Sequence, residues 1–433
     1  MKKTLLLFSF FAAAFTARSQ SMYFPPLTGD TWDTISPASL GWCPDKVDEL
    51  LDYLGDRNSK AFILLKDGKI VIEKYFGTFT QDSVWYWASA GKTLTSFMVG
   101  VAQQEGHLSI SDTTSQYLGA GWTNCTAGEE EKITIRHQLT MTTGLDDNVP
   151  DHYCTLDTCL NCIAAPGTRW AYHNGPYTLL DGVIQDATGQ TLNAYMNQKL
   201  KIPTGMTGLF IPAGYNNVFY SKARSMARFG LLILNRGNWN GNQIMTDTTY
   251  FDQMVNTSQA LNSSYGYLWW LNGKSSYMLP GLQFNFTGPL SPNAPDDMIA
   301  ALGKNGQLID VAPGMDLVFI RMGNDPGVGE VPALINDTIW IKLNDLMCNT
   351  AVKEEPQLQV NVYPNPAKDV CTVDIDEQSY GLSLFDEMGR QVLQKQNCSG
   401  RTDLNVKALI PGVYYMRIVT AKNYTLFRKI VIS

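Results

Sequence analysis

Trp85-Tyr86-Trp87-Ala88-Ser89-Ala90-Gly91-Lys92 is the stretch on which the reading of this chain turns. It contains Ser-x-x-Lys, and an apolar periodic segment follows at once. Leu94, Phe97, Met98, Val101 and Ala102 recur at helical spacing, and Gly106 stands where a C-terminal glycine cap belongs. The pattern predicts Ser89 at a helix start, with Lys92 one turn further on the same face. A serine hydroxyl is a poor nucleophile at neutral pH and needs a base within hydrogen-bond reach. A lysine can be that base once burial or a neighbouring cation lowers its pKa. The helix N-terminus adds free N–H groups and a positive dipole end beside the reacting oxygen. Both residue types are common, so the motif needs support from the rest of the chain.

Working outward, the residues before it form two apolar runs, Ala61–Leu65 and Ile70–Phe76, joined through Lys66-Asp67-Gly68-Lys69. This predicts a hairpin with an Asp-Gly turn. After it, residues 133–145 predict a short helix ending at Gly144. The loop Asp146–Cys162 is rich in Asp and Cys and calls for disulfides to hold its shape.

Two more stretches carry chemistry. Pro166-Gly167-Thr168-Arg169-Trp170-Ala171-Tyr172-His173-Asn174 precedes renewed helical patterning through Leu179, Leu180, Val183 and Ile184. A tyrosine phenol can act as acid or base when a lysine lowers its pKa, and an asparagine offers a donor and an acceptor. Tyr-x-Asn also occurs at Tyr195, Tyr215 and Tyr363, so context singles out Tyr172. His173 would point away from its neighbours in an extended segment and reads as a packing residue. The last stretch, Met298–Asp310, carries Lys304-Asn305-Gly306-Gln307 and reads as strand, turn and strand. A helix is expected from about residue 331 to 346. Trp239, Trp269 and Trp270 read as core rather than as cleft lining.

The ends of the chain read differently. Lys2 and Lys3 precede an apolar run from Leu5 to Phe15, and Ala17-Arg18-Ser19 offers a cleavage site. These are the three regions of a secretory signal peptide, residues 1–19. The run is too short to span a bilayer, and no later segment approaches the length a transmembrane segment needs. The chain carries 33 basic and 40 acidic residues, net −7, which argues against nucleic acid as a partner. Eight cysteines in an exported chain imply disulfides. Cys125, Cys154, Cys159 and Cys162 allow three pairings. The four histidines form no ligand-spaced cluster, so no metal site is expected. Residues 351–358 read as a polar linker. From 359 to 433, short alternating strands between turn signals indicate a small all-β sandwich. Cys371 and Cys398 are its natural pair.

Taken together, Ser89-x-x-Lys92, Tyr172-x-Asn174 and Lys304-Asn305-Gly306 resemble the motif triplet of the serine β-lactamase and penicillin-binding-protein superfamily, in its class C-like branch. The phrases "ITIRHQLTMTTGL", "PGTRWAYHNGPYTLL" and "NQKLKIPTGMTGL" add to the resemblance, which spans about residues 35–348. It implies an α/β (α+β) β-lactamase/transpeptidase-like fold over residues 20–350, an antiparallel sheet flanked by helices with an inserted helical subdomain. It also implies a Cys43–Cys348 bridge between the first and last helices. Ser89 would be the acylated nucleophile, with Lys92 and Tyr172 managing its proton. Tyr172 would activate water for deacylation. The N–H groups of Ser89 and Gln307 would form the oxyanion hole, each worth about 3 kcal/mol. Lys304 would lower the pKa of Tyr172 and attract a substrate carboxylate, and Asn174 would hold the substrate carbonyl or amide.

The resemblance therefore implies a serine hydrolase acting without cofactor or metal on a small-molecule ester, amide or peptide. A D-alanyl-D-alanine carboxypeptidase, a class C-like β-lactamase and a non-catalytic penicillin-binding sensor are the alternatives. Two departures bear on this choice. Asn305 stands where the family commonly has Thr, a residue that helps to recognise carboxylates, and His173 stands where it often has Ser. The tail, through "YPNP", "LFDEMGR", "LIPGVYYMRI" and a terminal "RKIVIS", resembles the type IX secretion sorting domain. That implies type IX machinery as a partner, and export through the periplasm to the surface or medium of a Bacteroidetes-type bacterium.

Overall fold

The computed structural model describes residues 22–327, 332–348, 360–386, 391–420 and 425–433. The expected signal peptide and linker lie outside them.

The predicted hairpin forms as β1 (Ser59–Lys66) and β2 (Lys69–Tyr75). Asp67 and Gly68 take the two positive φ values, 52° and 79°, that its two-residue turn requires. Far along the chain come β3 (Trp270–Leu271), β4 (Ile299–Gly303), β5 (Gln307–Ala312) and β6 (Leu317–Gly323). The six form one antiparallel sheet in the order β2-β1-β6-β5-β4-β3, so the N-terminal hairpin and the strands around Lys304 share it. Residues of β4, β5 and β6 are buried throughout, because helices cover both faces.

The helices follow their apolar spacing. They are α1 (Lys46–Asp56), α2 (Lys92–Gln104), α3 (Ile135–Leu139), α4 (Asn174–Thr178), α5 (Leu180–Thr188), α6 (Ala223–Leu234) and α7 (Ala333–Leu346). Helices α1 and α7 lie side by side, and Cys43 bonds Cys348 across their ends. Helix α6 packs on β1, β5 and β6. Helix α2 is buried from Lys92 to Ala102, so its environment is apolar on every side. Gly106, with φ 76°, receives the chain just beyond it.

One expected helix is shorter than predicted. Helix α3 stops at Leu139, well before Gly144. Thr134 and His137 cap its start reciprocally, and Met141 at φ 58° turns the chain away. The following loop is braced as expected, by Cys154–Cys159 within it and Cys125–Cys162 at its end.

The tail is a sandwich of two sheets. One holds Val360–Tyr363, Val370–Ile375 and Arg401–Asn405. The other holds Tyr380–Phe385, Gln391–Cys398, Gly412–Thr420 and Thr425–Ile432. Its core is separate from that of the catalytic region. The expected Cys371–Cys398 bridge is absent. The two cysteines sit in opposite sheets, and each thiol is buried and unbonded, packing as a small apolar group.

Candidate active site

Ser89 is presented by a short turn, Ala88–Gly91, that runs directly into α2. Ala88 is left-handed at φ 46°, a strained conformation for a residue with a Cβ. The turn is anchored from behind. Trp87 N donates to Phe219 O (2.8 Å), and its indole Nε1 donates to Ser221 Oγ (2.8 Å).

Lys92 Nζ donates to Ser89 Oγ at 3.1 Å. Its side chain is enclosed, with the ammonium 4.4 Å from the Tyr177 ring centroid and 5.3 Å from that of Tyr172. Burial lowers its pKa from 10.5 to about 7. A large fraction of Lys92 is therefore neutral at physiological pH and able to accept a proton.

Tyr172 lies close to both residues, with Ser89 acting on its phenol and the Lys92 ammonium 5.3 Å from its ring centroid. Its ring stacks on Trp270 with centroids 6.1 Å apart, and Trp170 and Tyr265 complete the aromatic wall. Burial raises its phenol well above the ordinary value. This is opposite to the lowering expected from a neighbouring Lys304, so Tyr172 holds its proton. Trp269 and Trp270 are core residues as read, yet Trp270 also backs Tyr172. Nothing in the residue pattern around Trp270 signals that second role.

Asn174 opens α4, and its Oδ1 is buried without a partner among the described residues. A buried acceptor left open is an available site for an N–H donor. His173 points the other way, as expected. It is 2% exposed, and burial lowers its pKa to about 4, so it stays neutral.

The third motif is arranged differently from the sequence reading. Gly303 is the residue that abuts the nucleophile turn. A Cβ added there would meet Trp87 O at 2.5 Å and Ala90 N at 2.9 Å. Lys304, exposed, follows it and begins the hairpin turn to β5. Asn305 and Gly306 form that turn at φ 64° and 71°. The Asn305 amide donates to Tyr86 Oη at 2.7 Å. Gln307 starts the neighbouring strand opposite Gly303, and its side chain is locked onto the main chain of Gly323. Gln307 is thus one strand removed from where its proposed role would put it. Position 303 admits only glycine, but a glycine between Leu302 and Lys304 gave no signal in the sequence. Among the described residues no group of His, Cys, Asp or Glu is arranged to hold a metal.

Comparison with known proteins identifies the family. The Beta-lactamase family model matches residues 47–340, and the Secretion system C-terminal sorting domain model matches residues 361–433. An uncharacterized protein of Alkalihalophilus pseudofirmus is 25% identical over 322 residues, covering 66% of this chain and 88% of that protein. Protein flp of Staphylococcus aureus is 26% identical over 167 residues, so the chain spans only 33% of that relative. Among solved structures, a penicillin-binding protein homologue from Pyrococcus abyssi aligns at TM-score 0.51 and 15% identity, over 90% of this chain and 96% of that one. A Bacillus anthracis protein provisionally named a 6-aminohexanoate-dimer hydrolase aligns at TM-score 0.54 and 20% identity, over 69% and 81%. The chain belongs to the β-lactamase family and carries a secretion-system sorting domain behind its β-lactamase region.

Proposed function

We propose that the protein is an exported serine hydrolase that cleaves an ester or amide through an acyl-enzyme on Ser89. The observation that carries this reading is the 3.1 Å contact of Ser89 Oγ with a lysine whose pKa burial brings to about 7. Neutral Lys92 takes the hydroxyl proton as Oγ adds to the substrate carbonyl. The tetrahedral oxyanion is received by the main-chain N–H groups of Ser89 and Lys304. Lys304 replaces Gln307 in this role because Gly303, which directly precedes it, lies against the nucleophile turn. The proton returns from Lys92 to the leaving group as the C–O or C–N bond breaks. Tyr172 keeps its phenolic proton at neutral pH, so it serves as a hydrogen-bond partner and relay for Ser89. Water then adds to the acyl carbonyl as Lys92 takes its proton, and that proton passes to Ser89 Oγ as the bond to serine breaks and the acid leaves. Asn174 Oδ1 receives an N–H of an amide substrate.

Substrates without a carboxylate beside the scissile bond are favoured. The amide of Asn305, which the motif reading set in the place of a carboxylate-reading Thr, is engaged by Tyr86. The peptidase and β-lactamase readings rest on exposed Lys304 alone for that contact. The sorting domain supports export by a type IX system, with the tail as an address.

Purified residues 20–350 tested on p-nitrophenyl acetate and butyrate, nitrocefin and a D-Ala-D-Ala peptide decide among these. Ester turnover without nitrocefin or peptide turnover is expected. Turnover of either carboxylated substrate at a comparable rate overturns the substrate preference, and no turnover of any favours the sensor reading.

A further inference from the structure

Arg321, on β6, is completely buried. Its hydrogen-bond acceptors carry no formal charge. Nε donates to Ser59 Oγ at 2.8 Å, and Nη1 to the carbonyls of Asn305 (3.0 Å) and Gly306 (2.7 Å). Nη2 donates to the carbonyls of Arg57 and Asn324. Burying a cation without a carboxylate is costly, and an apolar side chain could fill a purely structural site. Even with burial lowering its pKa to about 10, it stays charged at neutral pH.

What the guanidinium holds is the turn beside the nucleophile. Two successive left-handed residues, Asn305 and Gly306, make this the tight two-residue turn that Asn-Gly favours. Arg321 bonds the carbonyls of Asn305 and Gly306 and so fixes the 305–306 and 306–307 peptide planes, the two that follow directly on the main chain of Lys304. A side chain at Gly306 would run into the guanidinium, and one at Gly303 would strike the Ser89 turn. The Gly303–Gly306 main chain is therefore wedged between a buried cation and the nucleophile.

We infer that Arg321 is a positioning residue that sets the main chain of Lys304 against Ser89 and holds positive charge behind the developing oxyanion. This rests on the acyl-enzyme reading above. Arg321→Lys keeps the charge but can no longer grip both carbonyls in a fork. Ser59→Ala keeps the arginine and removes its Nε acceptor.

The test measures ester kcat and KM, affinity for an arylboronic acid that forms a tetrahedral adduct on serine, the pH profile and thermal unfolding. Arg321→Lys is expected to lower kcat at least tenfold, with KM changed less than twofold. Boronate affinity should fall in parallel, and the acid limb of the pH profile should stay in place. Ser59→Ala is expected to give a smaller kcat loss of the same pattern, and it decides the matter if Arg321→Lys does not fold. Folded variants with wild-type kcat and boronate affinity but lower Tm would make Arg321 a structural bolt and overturn the inference. So would a rise in KM alone. If the wild type neither turns over ester nor binds boronate, the acyl-enzyme reading itself fails.

Discussion

Lys92 Nζ sits 3.1 Å from Ser89 Oγ, and burial alone accounts for the lowering of its pKa to about 7. The aromatic faces of Tyr172 and Tyr177 enclose the ammonium, but they do not hold its proton as a carboxylate would.

A pH profile follows from that relationship. Lys92 acts only when neutral, so kcat/KM should fall about tenfold per pH unit below pH 7 and level off above it. Lys92→Arg stays protonated throughout and should cost about 10²–10⁴-fold in kcat. Initial rates from pH 5 to 9 check both statements.

The same burial strains the fold. The folded pKa lies below the ordinary 10.5, so the unfolded chain binds the extra proton between pH 10.5 and about 7. Stability is therefore lost as pH falls through that window, and the penalty is complete below pH 7. Lys92→Met should abolish turnover yet raise Tm at pH 6, by about 2–4 °C per kcal/mol recovered. Scanning calorimetry at pH 6 and pH 10 should show the gain shrinking at the higher pH.

Tyr172 is expected to contribute as a neutral phenol. Tyr172→Phe should lower kcat about 10²–10⁴-fold. The wild-type profile should show no alkaline limb from phenol ionisation up to pH 10, because burial holds that proton. Rates at pH 9 to 10 check this.

Much of this was legible in the sequence. The hairpin was readable because Asp-Gly supplies left-handed residues between alternating apolar runs. Helix α2 was readable because its apolar spacing is helical. The motif triplet named Ser89, Lys92 and Tyr172, which the fold sets close together. What was not legible depends on packing across the chain. The strain at Ala88, the approach of Gly303 to Trp87 and Ala90, and the grip of Arg321 on the 305–306 turn all join residues far apart in sequence. The direction of the Tyr172 shift failed for the same reason, since desolvation by an aromatic wall outweighs any expected lysine neighbour. Cys371 and Cys398 were paired by elimination, a logic blind to the two sheets that separate them.

Asn305 has a backbone role separate from recognition. At φ 64°, Asn305→Thr puts a β-branched residue in the left-handed region and also removes the Tyr86 contact. It should cost about 1–2 kcal/mol, while Asn305→Gly should stay within about 1 kcal/mol of wild type. Urea denaturation of both variants tests the ranking.

The disulfides should differ in weight. Cys43–Cys348 closes a separation of 305 residues, whereas Cys154–Cys159 closes one of 5. Cys43→Ala with Cys348→Ala should destabilise the protein by about 2–5 kcal/mol, and loss of the short bridge by less. Unfolding under oxidising conditions compares them.

The central claim is that Ser89 becomes covalently acylated. The most direct measurement is intact-mass spectrometry of residues 20–350 after a fluorophosphonate probe, beside Ser89→Ala and Lys92→Arg. The account predicts one adduct on the wild type, mapped to the peptide containing Ser89. It predicts none on Ser89→Ala and strongly slowed labelling of Lys92→Arg. An adduct that persists on Ser89→Ala, or a wild type that stays unlabelled while hydrolysing esters, would contradict it.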